Sequence, residues 1–165
     1  MADKDRSIKF INDTNASTKE IDIYNSIVIK YFDEEFSSDN YGNFSIYLGD
    51  TYLCFEIDIN TKRVISFCGR HPKVKSKDIE LPSSFIRTIL KVKDNTNLCE
   101  GSGARIKFKN DSYYDSRRKI FSIGVIDRKK PIYKFLSNAY IQLDDEGKPL
   151  SVIITDICLD SSLTL

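Results

Sequence analysis

This sequence predicts a mainly β protein: an antiparallel sheet curled or folded into a sandwich or half-barrel, with a β-rich α+β arrangement as the variant. Three observations carry that expectation. Short runs of apolar and polar residues alternating with period two recur along the chain, separated by polar turns and not by regular helical segments. The aromatic residues, 12% of the chain, are all Tyr and Phe, side chains that pack well on a pleated surface. Two segments, 52–69 and 139–156, carry the full pattern of β-hairpins. At 165 residues the expectation is one domain, 1–165, able to bury its own core. No internal repeat or linker divides it.

The elements follow in order. Ser7 to Asn12 reads as a short strand and Asp13 to Thr18 as a polar turn. Between Ile21 and Phe32, the residues Ile23, Tyr24, Ile27, Val28, Tyr31 and Phe32 fit a helical stripe. Ile27 to Phe32 is, however, a dense β-branched and aromatic run, and β-branched side chains lose rotamer freedom in a helix, so strand is favoured. An acidic loop, Asp33-Glu34-Glu35 with Ser37-Ser38-Asp39-Asn40, precedes a strand at Phe44–Leu48.

In the hairpin 52–69, Leu53, Phe55, Ile57 and Ile59 alternate with Tyr52, Cys54, Glu56 and Asp58. A three-residue loop at 60–62 sets Ile59 opposite Arg63, Ile57 opposite Ile65 and Phe55 opposite Phe67, which gives one continuous apolar strip. Cys54 then faces Cys68 on the other side. Arg70 to Lys77, basic and containing Pro72, reads as an exposed loop. Residues 86–92 alternate as a strand, although Phe85, Ile86, Ile89 and Leu90 would also line a short helix.

Gly101-Ser102-Gly103 turns into a strand at Arg105–Lys109, and Asn110 to Arg118 is a polar loop. Ile120–Ile126 is a strand ended by Arg128-Lys129-Lys130-Pro131, and 132–138 has room for one helical turn. Ala139, Ile141 and Leu143 form one arm of the second hairpin and Leu150, Val152 and Ile154 the other. Gly147 suits a left-handed position in the loop between them. The total is eight or nine strands.

Charge is nearly balanced, with 25 Lys and Arg against 24 Asp and Glu. No overall field draws the chain to nucleic acid or an anionic membrane, so a charged partner must meet a local patch. Arg117-Arg118-Lys119 and Arg128-Lys129-Lys130 lack the interleaved aromatics of a nucleic-acid-binding strand face. No apolar run is long enough to cross a bilayer, and Met1 to Arg6 is charged and does not lead into a secretory signal, so the expected location is cytoplasmic. The Asn-x-Ser/Thr triplets at Asn12, Asn15, Asn43 and Asn110 accordingly read as turn chemistry.

Four cysteines, Cys54, Cys68, Cys99 and Cys158, are too widely spaced for a disulfide framework in that compartment. Cys54 and Cys68 are placed to bridge, or to supply two metal ligands near His71. There is no Cys-x-x-Cys spacing, and the expectation is inert, buried thiols. His71 is the only histidine and has no local group to orient it as a catalytic base, so it reads as a loop residue. Gly101-Ser102-Gly103 lacks the longer nucleophile-elbow and phosphate-loop patterns. The acidic clusters lie in loops, where carboxylates are solvated and not paired as a glycosidase needs. No catalytic, cofactor-binding or metal-ligating residue is assigned, and no cofactor is expected.

The run Tyr52-Leu53-Cys54-Phe55-Glu56-Ile57-Asp58-Ile59-Asn60-Thr61-Lys62-Arg63-Val64-Ile65-Ser66-Phe67, followed by Gly69 and a Pro-containing basic loop, resembles small bacterial immunity proteins encoded beside polymorphic or contact-dependent toxins. The likeness is looser through the Gly101–Gly103 turn and the last hairpin. It implies a cytoplasmic, non-enzymatic protein that binds one toxin domain and blocks its active site or substrate path. For a basic toxin the expected contact surface is Asp33, Glu34, Glu35 and Asp39 with Tyr31 and Tyr41, or Asp144, Asp145 and Glu146. Two other readings stand beside it. A small hydrolase using carboxylates or a Cys–His pair requires a cleft holding His71, and a ligand-binding adaptor requires an enclosed apolar cavity.

Overall fold

The computed structural model describes residues 10–13, 19–24, 28–32, 43–69, 74–93, 98–109 and 111–157, the first three segments and Asn43 through their backbone pairing. In chain order the strands are β1 (Phe10–Asp13), β2 (Lys19–Tyr24), β3 (Val28–Phe32), β4 (Asn43–Leu48), β5 (Cys54–Asp58), β6 (Val64–Cys68), β7 (Lys75–Ser76) and β8 (Ile86–Arg87). They continue as β9 (Ile89–Val92), β10 (Gly103–Ile106), β11 (Ser112–Asp115), β12 (Ile120–Gly124), β13 (Tyr133–Lys134), β14 (Ala139–Leu143) and β15 (Pro149–Ile154). Among the described residues there is no helix.

A six-stranded sheet runs β10-β4-β5-β6-β3-β2, a seven-stranded sheet runs β7-β11-β12-β15-β14-β13-β8, and β1 pairs with β9. Neighbours are antiparallel except where the edge strands β10, β7 and β8 lie parallel to β4, β11 and β13. The two large sheets bury a common core. Phe44, Ile46, Leu48, Phe55, Ile57, Val64 and Phe67 come from one, and Tyr114, Phe121, Ile123, Ile141, Val152 and Ile154 from the other. Phe55 lies 5.0 Å from the Phe67 ring and 5.9 Å from Phe135, so aromatic contacts extend from the first hairpin to the β13–β14 connection. The expected mainly β sandwich is therefore the architecture, with open sheets and no closed barrel.

The first hairpin keeps its expected Phe55–Phe67 and Cys54–Cys68 pairs, but Ile57 faces Val64 and not Ile65, with a register shift after Glu56. The cause is Asp58. Its carboxylate accepts the Thr61 amide at 2.8 Å, its backbone pairs with Arg63, and Lys62 takes a left-handed φ of 59°. The loop thus closes as Ile59–Lys62, and a bulge absorbs the extra residue. Val64 joins the core in the place expected for Ile65. The hairpin ends at Gly69, where φ is +121° and a Cβ would sit 1.9 Å from the Tyr52 carbonyl oxygen, so only glycine fits.

Several other elements differ from expectation for one reason: short strands are recruited by neighbours distant in sequence. Segment 21–32 contains two antiparallel strands, β2 and β3, where one strand is expected. The basic loop 70–77 buries Val74 and gives β7 to the sheet edge. The polar loop 110–118 contains β11, and the helical turn expected at 132–138 is instead β13 followed by a tight turn closing on Ala139. Residues 86–92 are strand, as favoured, but divide at buried Thr88. Ile86 and Arg87 join β13, whereas Ile89–Val92 join β1. The Gly101–Gly103 turn forms through Ser102 N–H to the Cys99 carbonyl at 3.2 Å, and its strand starts earlier than expected, at Gly103. β12 likewise stops at Gly124. The second hairpin forms from its two expected arms, which pair Ala139 with Ile154 and Ile141 with Val152.

Candidate partner-binding surface

Alternation along the seven-stranded sheet sends one row, Tyr114-Phe121-Ile154-Ala139, into the core. The next row, Tyr113-Ser122-Ile153-Tyr140, faces away from it. Two segments cross this outer face and pack Ile79, Leu81, Ile126 and Ile132 onto Ile120, Ile153, Tyr113 and Tyr140.

Each crossing segment is held by one buried polar side chain. Asp115 accepts the backbone N–H groups of Ile79 (3.0 Å), Arg118 (2.9 Å) and Arg117 (3.1 Å), and the Arg118 guanidinium at 3.0 Å. The Ile79 and Arg118 amides, followed by that guanidinium, hold its carboxyl well below the usual aspartate range. Gln142, fully buried, accepts the Asp127 N–H (2.9 Å) and the Ser151 hydroxyl (3.1 Å). It donates to the carbonyls of Asp127 (2.7 Å) and Lys130 (3.1 Å).

Between the two segments lies a cleft of about 230 Å³, floored by Tyr113, Ser122 and Gly124 and rimmed by Lys77, Asp78, Glu80, Asp111 and Arg128. Lys77 Nζ stands 4.6 Å from the Tyr113 ring centroid, and Arg128 pairs with Glu80 at 3.5 Å. Lys77, Arg128 and Glu80 are exposed, and their charges readily exchange for a partner's, while Tyr113 is half-buried beneath.

Further along, Phe85 and Ile86 are 43% and 44% exposed and turn to opposite sides of the sheet: Ile86 stands in the row of Tyr133 and Ile141, on the core side, and Phe85 packs on the outer face. Phe85 meets the Tyr140 ring edge-on at 5.5 Å, and Lys134 Nζ lies 5.3 Å from the Phe85 centroid and 5.5 Å from that of Tyr140. Arg87 follows in β8, directly opposite Lys134. The result on the outer face is a partly exposed aromatic pair, Phe85 and Tyr140, with basic neighbours.

Of the acidic residues expected to bind a partner, the turn Asp144-Asp145-Glu146 is described, and its members differ in role. Asp144 builds the turn by accepting the Glu146 and Lys148 amides, both at 2.8 Å. Asp145 pairs with Lys130 at 2.5 Å and Glu146 with Lys148 at 2.8 Å, and both ammonium groups are held above the usual lysine range by those carboxylates. The acidic character of this turn is thus largely balanced in place.

Tyr31 lies in β3, its backbone opposite Glu20 of β2. Asp33, Glu34, Glu35, Asp39, Tyr41 and His71 lie outside the described residues. Cys54 and Cys68 meet, sulfur to sulfur, at 3.7 Å. Among the described residues no three His, Cys, Asp or Glu side chains converge on a metal-sized position.

The exposure of Phe85 and Ile86 at this sheet edge is what reading the sequence missed, and a signal for it exists. Two adjacent large apolar residues in a strand point to opposite sides, so one of them must find a second apolar surface or remain in solvent. A scan against protein-family models and a search of curated proteins find no match to this chain.

Proposed function

We propose that this chain is a non-enzymatic, cytoplasmic immunity-type protein that neutralises a cognate toxin domain by covering its active site or substrate path. The outer face of the seven-stranded sheet makes the contact. The observation that carries this reading is the exposed Phe85, edge-on to Tyr140 and flanked by Lys134 and Arg87 on the outer face, with exposed Ile86 at the same sheet edge but on the other side. Large aromatic and aliphatic side chains fixed on a rigid sheet and ringed by charge are what protein interfaces use as anchors, because little side-chain entropy is lost when they are covered. The cleft rim and the Asp145 and Glu146 pairs supply exchangeable charges of both signs around that centre. A basic toxin side chain gains by replacing Lys130 or Lys148 at the acidic turn.

The test is a binding and protection experiment with the toxin domain encoded next to this gene. The chain is expected to form a stoichiometric complex by calorimetry and to rescue growth of cells expressing the toxin. Phe85→Ser with Ile86→Ser should weaken binding by about 100-fold or more while leaving Tm unchanged. Reversing Glu34, Glu35 and Asp39 to Lys tests the other acidic surface in the same assay. Absence of any complex or rescue by the intact chain would overturn the proposal; full protection by the double serine variant would remove this face from it.

A further inference from the structure

On the six-stranded sheet, Phe55 and Phe67 point into the core, and their neighbours Cys54 and Cys68 meet on the opposite face. Directly opposed residues of antiparallel strands have Cα atoms about 4.5–5.5 Å apart, within the range of about 4.4–6.8 Å that a disulfide spans. The two sulfurs are 3.7 Å apart. Side-chain rotation alone can bring them to the bonded distance of about 2.05 Å. The framework is rigid on both sides: the fully buried Phe55–Phe67 pair is the next rung, and Gly69 is locked against the Tyr52 carbonyl.

We propose that Cys54 and Cys68 are a reversible thiol–disulfide site, closed by small hydroperoxides into a cross-strand disulfide and reopened by dithiols. The two sulfurs are chemically unequal. Either thiol can donate across the contact, and burial and the negative charge of Glu56 raise the pKa of both. With Cys68 as donor the contact lowers the pKa of Cys54 and raises that of Cys68, and the Ser45 hydroxyl favours the thiolate at Cys54. Cys54 is therefore the nucleophile and Cys68 the resolving thiol.

The Cys54 thiolate attacks one oxygen of hydrogen peroxide; the O–O bond breaks, an S–O bond forms, and the departing hydroxide takes a proton to become water. Cys68 then gives up its proton and attacks the Cys54 sulfur; the S–S bond forms, the S–O bond breaks, and a second water leaves. Two thiols and one peroxide thus yield one disulfide and two waters. Cys54 is only 6% exposed, which favours a water-sized oxidant over a bulky disulfide.

The experiment treats the full chain with stoichiometric hydrogen peroxide and follows intact mass, thiol titration under denaturing conditions and peptide mapping. Expected are a loss of about 2 Da, a fall in free thiols from the four of the sequence to two, a Cys54–Cys68 linked peptide, and full reversal by dithiothreitol. In Cys68→Ser the reaction should stop at a Cys54 sulfenic acid that a dimedone probe traps, while Cys54→Ser should leave Cys68 as a thiol. Retention of all four thiols in the intact chain, or linkage through Cys99 or Cys158 instead, would overturn the proposal. So would sulfenic acid at Cys68 in Cys54→Ser, formed as fast as at Cys54 in the partner variant.

Discussion

Two glycines, Gly124 on the outer face and Gly101 in the turn before β10, show how much the lack of a side chain decides. Gly124 has φ +89°, and a Cβ there would lie 2.3 Å from the Leu150 carbonyl oxygen and 2.7 Å from the Phe108 ring. Gly101 is also left-handed, at +68°, but a Cβ there meets nothing. Gly124→Ala is expected to lower stability by about 2–4 kcal/mol and Gly101→Ala by about 1 kcal/mol, read from urea melts.

Asp115 makes a prediction in pH. Its folded-state pKa lies below the ordinary aspartate value of 3.8, so its contribution to stability is fully present above that value and is lost as the pH falls below it. Between about pH 6 and pH 2 the Tm of the native chain should fall more steeply than that of Asp115→Asn. The variant should start lower, because Asn keeps one acceptor oxygen of the two: its NH2 group faces either the Ile79 amide and the Arg118 guanidinium, or the Arg117 and Arg118 amides, and the Arg118 charge loses its counter-ion. Parallel Tm curves for the two proteins would contradict this account.

At the scale of elements, the crossing segment 126–132 has no strand of its own and depends on Gln142 for its polar contacts. Gln142→Leu removes a buried acceptor and donor together: the Asp127 N–H and the Lys130 carbonyl lose their Gln142 partner, while the Asp127 carbonyl keeps the Lys130 N–H. The expected loss is about 2–3 kcal/mol, with hydrogen exchange at Asp127 and Lys130 accelerated before that of β12 and β15. The hairpins also show where sequence reading reaches. Alternation placed Phe55 against Phe67, because a slip by one residue would turn a buried face outward, and it marked both arms of the second hairpin. It could not place Val64 for Ile65, since that depends on Asp58 capturing the Thr61 amide in the loop. Nor could it find β7 or β13, or divide 86–92 into β8 and β9: two-residue strands carry almost no periodic signal and exist only because a paired edge is already there.

For the molecule as a whole, connectivity dominates. β4 pairs with β10, β1 with β9, and β13 with β8, so strands far apart in the chain must meet before the sheets are complete. Such non-local pairing predicts folding on the scale of milliseconds to seconds, checked by stopped-flow fluorescence of the tyrosines. Submillisecond folding would mean that the hairpins alone set the rate. The candidate surface belongs to this scale too. Phe85 comes from a connector, Tyr140 from a hairpin and Lys134 from a two-residue strand, and only the completed seven-stranded sheet assembles them.

What the sequence by itself determined is the β class, the two hairpins and the residues of the main core, because alternation and turn chemistry are local and each position reports its own preference. The tertiary structure alone decided the sheet order, the parallel edge strands, the second layer pinned by Asp115 and Gln142, and the clustering of Phe85, Lys134 and Tyr140. Those depend on which distant backbone offers free hydrogen-bonding groups, and no single stretch of sequence encodes the identity of its neighbour.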